Sequence, residues 1–240
     1  MQCGLDEAGR GPVLGPMVIA MVCGEADQIE AIGARDSKVL SPARREALYA
    51  IIKRIAESVT FSVVSVAEIN SEMIHQTMNE IEHSRYLALI RKANYPVFVD
   101  AFDVDASRLE NRLSRESGHE IHAMHRADST FAVVSAASIV AKVERDNIIE
   151  ELHKEYGDFG SGYPSDPRTV AFLRKCVSDK KDVSTIVRRE WAVVRYRLDP
   201  FFLWNIPSPD NISTTDPRNR PSIRYIATQN RIKKNPMGSR

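Results

Sequence analysis

Short apolar runs of strand length alternate along this chain with stretches whose apolar residues recur at helical spacing. A brief apolar strand opens the chain and ends near Asp6, and Met17–Cys23 is a second run of strand length. Ser41-Pro42 supplies an N-cap followed by proline at the first helical position, which predicts a helix to about Glu57. A strand over Thr60–Val66 follows, then helices over 68–74 and 77–93. Tyr95-Pro96 breaks the second of these, and Val97-Phe98-Val99-Asp100 reads as a buried strand that ends in a carboxylate. Beyond it the pattern predicts a helix over Ser107–Leu113, a strand over Glu120–Met124 and the longest helix, from Phe131 to Tyr156. Gly157–Pro167 is loop, and helices over 168–177 and 184–197 close the body.

This alternation predicts an α/β fold over residues 1–200. The segment 205–240 carries Pro207, Pro209, Pro217, Pro221 and Pro236 with few apolar residues, the composition of a flexible tail.

Composition adds little to this, but charge adds something. The net charge of +1 conceals an asymmetry, because from Asn205 onward seven basic residues face two acidic ones, a balance of +5. The body is therefore mildly acidic, at about −4, so a polyanion bound there needs a local cationic site or metal ions. No apolar run approaches membrane-spanning length and no secretory segment opens the chain, which predicts a cytoplasmic protein. Cys3, Cys23 and Cys176 are odd in number and lack ligand spacing, and they read as free thiols in a reducing compartment.

The candidate chemistry begins at Asp6-Glu7-Ala8-Gly9-Arg10-Gly11. Adjacent carboxylates at a strand exit suit hard divalent cations, and a glycine-flanked arginine lets backbone N–H groups and a guanidinium approach a phosphate or sugar. Side chains alternate along a strand, so Asp6 and Glu7 share one site only if the chain turns directly after them. Asp100 ends a strand and Asp128 precedes the longest helix, and ligands of open α/β sheets gather beyond the carboxyl ends of strands. Clustered there, these acids would repel one another unless cations neutralised them. The alternative is three unrelated roles: Asp6 in a turn, Asp100 capping a strand and Asp128 as a helix N-cap. On the long helix Ser135, Ser138, Lys142 and Arg145 share one face, flanked by Ala136, Ala137 and Ala141, which suits either a polyanionic backbone or a solvated surface. The His119, His122 and His125 triplet reads better as scattered histidines than as a zinc site.

Six segments resemble ribonuclease HII, the type 2 ribonuclease H, in order and spacing. They are Asp6–Gly11, Asp36-Ser37-Lys38, Val99-Asp100, Arg126-Ala127-Asp128, Ser135–Val143 and Gly160-Ser161-Gly162-Tyr163, spread over roughly residues 1 to 197. Between them the sequence is closer to the archaeal and eukaryotic branch, notably at Gly157–Tyr163 and Ser165–Thr169. The resemblance implies a ribonuclease H-like fold, a mixed central sheet flanked by helices with a helical C-terminal portion. It implies a monomeric endonuclease that cuts RNA within RNA–DNA hybrids and at a lone ribonucleotide in duplex DNA, leaving 5′-phosphate and 3′-hydroxyl ends. By the family pattern Asp6, Glu7, Asp100 and Asp128 hold two Mg²⁺ or Mn²⁺ ions. Gly9, Arg10 and Gly11 match the segment whose backbone senses the ribose 2′-hydroxyl, Tyr163 matches the tyrosine that packs on the next sugar, and Lys38, Ser138 and Lys142 are candidate phosphate contacts.

Near the end of the body, Leu198, Phe201 and Phe202 are similar to the clamp-binding peptide of replication and repair proteins, with Arg195 where that motif carries glutamine. They would plug a groove on a sliding clamp, or else pack with Trp204 onto the body. Two rivals remain: another nuclease or phosphotransferase of the same broad fold, and a non-catalytic hybrid-binding module. A pure binder gains nothing from clustered negative charge.

Overall fold

A computed structural model of the chain describes residues 1–34, 40–191 and 194. Two apolar runs at the start form a hairpin, β1 (Gln2–Ala8) and β2 (Met17–Gly24), joined by residues 9–16. The next elements are α1 (Ala26–Ala31), α2 (Pro42–Ile55), β3 (Ser58–Val64), α3 (Val66–Glu72), α4 (Met78–Ile90) and β4 (Val97–Asp100). The last are α5 (Ala106–Ser117), β5 (Ile121–Met124), α6 (Ala132–Tyr156) and α7 (Pro167–Ser178). The sheet has the order β3-β2-β1-β4-β5, antiparallel across the first three strands and parallel from β1 through β4 to β5. This mixed sheet flanked by helices is the predicted architecture.

Local chemistry explains most of the boundaries. Ser41 caps α2 as expected, its hydroxyl accepting from the Arg44 N–H. β3 stops at Val64 because Ser65 forms a capping box with Glu68 and starts α3 there, and Thr77 does the same with Glu80 for α4.

Alternation along β1 and β2 divides the interior into two cores. Val18, Ala20 and Val22 pack with Val133, Ala136, Ala137 and Val140 of α6, while Cys3, Leu5, Ile19 and Met21 pack with Ile81, Tyr86 and Leu113 of α4 and α5. The α6 backbone lies directly on β1. A Cβ added at Gly4 would sit 2.1 Å from the Val133 carbonyl carbon, so only glycine permits this approach. That contact brings α6 and the residues preceding it over the end of β1.

Two expectations are corrected. Cys3 and Cys23 are not free thiols; they form a disulfide, while Cys176 is buried and unpaired. They face each other across the β1–β2 ladder, and the Cys3 N–H turns away from β2 to the Pro96 carbonyl. The two cysteines thus occupy a non-hydrogen-bonded pair, where cross-strand side chains lie closest. The second correction is that residues 184–191 are not helical. A turn at 184–186 leads to a bridge between Val187 and Leu14, fixed by Gly15 N–H to Ile186 O and Arg188 N–H to Val13 O. Pairing with the hairpin connection overrides the local helical spacing. Asp36-Ser37-Lys38, the clamp-like Leu198, Phe201 and Phe202, and the whole 205–240 segment lie outside the described residues.

Candidate active site

The strand β1 runs on through Ala8, so no turn intervenes to bring Asp6 and Glu7 to one side. They keep opposite faces. Asp6, two residues beyond Gly4, faces α6, where Ser138 hydrogen-bonds its carboxylate. Glu7 faces α4 and accepts a hydrogen bond from the Tyr86 hydroxyl at 2.5 Å.

Asp100 ends β4, the parallel neighbour of β1, and its carboxylate accepts the Ala127 N–H at 3.1 Å. That bond ties it to the short 3₁₀ turn Ala127–Ser129, which carries Asp128. Asp128 is not the N-cap of α6, a position held by Phe131 without a side-chain bond. Asp6, Asp100 and Asp128 consequently converge, each offering a carboxylate oxygen within 4.8 Å of the others. Glu7 stands outside this trio, although it lines the same cleft.

Burial and crowding dominate the electrostatics. Burial, then the charges of Glu7 and Asp100, hold Asp6 well above the usual carboxylate range. Burial and the neighbouring Glu82 push Glu7 up to about 7. Three converging carboxylates, of which Asp6 and Asp128 are buried and Asp100 partly so, repel one another, and a divalent cation relieves both the desolvation and the repulsion. An all-oxygen carboxylate set suits a hard ion such as Mg²⁺ or Mn²⁺. The residues present therefore fit the metals that the sequence implies.

The cleft, of about 480 Å³, is lined by Asp6, Glu7, Gly9, Arg10, Gly11, Arg45, Asp100, Ser138, Lys142, Arg145, Ser161 and Tyr163 among others. Two loops make its rim. The Gly162 carbonyl accepts the N–H groups of Val13 and Leu14, docking the 160–163 loop onto the hairpin connection. The Tyr163 ring then lies against the Gly11 position, where an added Cβ would meet it at 3.6 Å. Asp166 holds this loop from below, accepting the Ser161 N–H and hydroxyl and capping α7 through the Arg168 N–H. Lys142 reaches Ser138 Oγ at 3.2 Å, at the cleft floor.

Two arginines behave otherwise than their sequence context suggested. The Arg10 guanidinium is bound by the buried Glu82 at 2.7 Å and by Asn79, so α4 holds its side chain where Arg10 lines the cleft. Arg145 is buried and bonds the Pro16 and Ser161 carbonyls instead of presenting a solvated cation.

Sequence reasoning missed Glu82, Tyr86, Arg188 and Trp191. Glu82 did leave a trace: with Tyr86 and Leu89 it falls on the apolar stripe of α4, where a charge needs a buried partner. Arg188 left none, because it lies far along the chain from the loop that it touches.

Comparison with known proteins agrees with this geometry. The family model described as Ribonuclease HII matches residues 3–194. A ribonuclease HII of Thermoplasma volcanium is 47% identical over 196 residues, covering 81% of this chain and 92% of that protein. The crystal structure of ribonuclease H2 from Pyrococcus horikoshii superposes with a TM-score of 0.77 at 38% identity, covering 84% of this chain and 98% of that one. A chain of the PCNA:RNase HII complex from Archaeoglobus fulgidus gives a TM-score of 0.76 at 40% identity, covering 80% and 95%. With a matching family model over most of its length and an acidic trio that converges beside the central strand β1 and the end of β4, the chain belongs to the ribonuclease HII family, metal-dependent endoribonucleases that act on RNA–DNA hybrids.

Proposed function

We propose that this enzyme cuts on the 5′ side of a ribonucleotide, in hybrids and at a single ribonucleotide within duplex DNA, leaving 5′-phosphate and 3′-hydroxyl ends. The observation that carries the reading is the acidic trio, two of whose members, Asp6 and Asp100, line one cleft with a glycine-rich turn. Asp6, Asp100 and Asp128 would hold two divalent ions, Mg²⁺ or Mn²⁺, with Glu7 reaching in from the opposite face. Such ions supply an activated water and charge stabilisation at the departing oxygen.

The chain's own residues do the selecting. The N–H groups of the Gly9–Gly11 turn meet the 2′-hydroxyl, which alone separates ribose from deoxyribose at a site. Tyr163 offers its half-exposed ring to the adjoining sugar, and its place against Gly11 sets one sugar's distance from the sensor. Lys142 and Ser138 lie where a backbone phosphate would approach the trio, and Lys38 is a further phosphate contact. Leu198, Phe201 and Phe202 would dock on a sliding clamp, a reading supported by the PCNA complex of the A. fulgidus relative.

A labelled duplex carrying one ribonucleotide tests the central reading. With Mg²⁺ or Mn²⁺ we expect one nick 5′ of the ribonucleotide, and none with chelator or on the all-DNA duplex. Equal cutting of the all-DNA duplex would contradict it. For the clamp, Phe201→Ala with Phe202→Ala should abolish clamp binding and spare hydrolysis, and unchanged clamp affinity would contradict that part.

A further inference from the structure

Arg188 is fully buried, yet among the described residues no carboxylate lies within ion-pairing distance of it. Its guanidinium is spent entirely on backbone. Nη2 donates to the Gly9 carbonyl at 2.6 Å, Nη1 to Arg10 at 2.9 Å and Nε to Gly15 at 2.9 Å. Trp191, whose ring centre lies 5.0 Å from the guanidinium carbon, donates its indole N–H to the Gly11 carbonyl at 3.1 Å. The Gly9 and Arg10 carbonyls are therefore drawn inward onto Arg188, and the Gly11 carbonyl is held by Trp191 nearer the surface.

A trans peptide points its N–H opposite to its C=O, and the described chain has no cis peptides. Pulling in the Gly9 and Arg10 carbonyls therefore turns the Arg10 and Gly11 N–H groups outward. The peptide after Gly11 leads into Pro12, which has no N–H to present. Among the described residues neither the Arg10 nor the Gly11 N–H finds an acceptor. Two aligned donors are thus held open towards the cleft, backed by a buried positive charge that favours an acceptor in front of them.

We propose that Arg188, seconded by Trp191, is a positioning residue for ribose recognition: it fixes the Gly9–Gly11 peptides so that two N–H groups converge on the 2′-hydroxyl. This rests on the reading of that turn as the ribose sensor. Burial draws the Arg188 guanidinium down to about 9, which leaves it cationic at neutral pH. Lysine would keep the charge but lose the fork that grips three carbonyls at once.

The test measures equilibrium affinity in chelator, where no cutting occurs, for two duplexes identical except for one ribonucleotide. The wild type should bind the ribonucleotide duplex more tightly. In Arg188→Lys the ratio of the two affinities should fall close to one, while affinity for the all-DNA duplex stays within about twofold. Trp191→Phe keeps the ring and loses only the N–H, so it should lower the ratio by roughly two- to fivefold. It decides the matter if Arg188→Lys does not fold. Variants that melt like the wild type and keep its ratio, or that lose both affinities in parallel, overturn the proposal and leave the sensor reading standing. A wild-type ratio of one overturns both.

Discussion

At the scale of single residues, the site is a set of charges that the fold alone would not tolerate. Asp128→Asn removes one of three mutually repelling carboxylates. Activity on a hybrid should fall by about a hundredfold or more, while the metal-free protein melts no lower than the wild type and somewhat higher. A lower melting temperature would mean that Asp128 serves the fold rather than the chemistry. Gly9 shows the opposite case. Its φ of +84° and the Arg145 Nε atom 2.3 Å from an added Cβ leave no room for a side chain. Gly9→Ala should destabilise the protein by about 2–3 kcal/mol in denaturant titration. Asp6, Asp100 and Asp128 were legible in the sequence because each lies near the boundary of an element that patterning can locate, late in β1, at the end of β4 and just before α6. Glu82 and Arg188 were not, since their partners come from packing between segments distant in the chain. The Cys3–Cys23 bond was hidden for the same reason: spacing does not reveal strand register.

Elements carry these residues to one place, and the contact between β1 and α6 matters most. Gly4 lets the helix backbone rest on the strand, so Gly4→Ala should push α6 away, cost about 3 kcal/mol and separate Asp6 from Ser138. The loop between α6 and α7 depends on Asp166, whose hydrogen bonds to the Ser161 and Arg168 N–H groups hold its carboxyl down to about 2. A depressed folded-state value means that this stabilisation is complete above the unfolded value of about 3.9 and is lost as pH falls toward 2. Asp166→Asn should therefore melt below the wild type at neutral pH, with the gap closing through that acid window. A gap that persists at pH 2 would point to lost packing instead. Helical patterning located α2, α4 and α6 well, but it misread 184–191, where hydrogen bonds to Val13 and Gly15 compete successfully with the local spacing.

For the whole molecule, metal binding and stability are one equilibrium. A cation that binds only the folded trio raises the melting temperature by mass action. Glu7, with its carboxyl near 7, and Asp6, raised further by burial than by any neighbour, must give up protons before the cleft carries full negative charge. The gain in melting temperature on adding Mn²⁺ should thus be larger at pH 8 than at pH 6, and Asp128→Asn should remove most of it at both. The most direct measurement is an anomalous-scattering map from crystals grown or soaked with Mn²⁺. Manganese peaks coordinated by the carboxylates of Asp6, Asp100 and Asp128 are the predicted result. Manganese bound elsewhere, with those three carboxylates left unliganded, would contradict the account at its root.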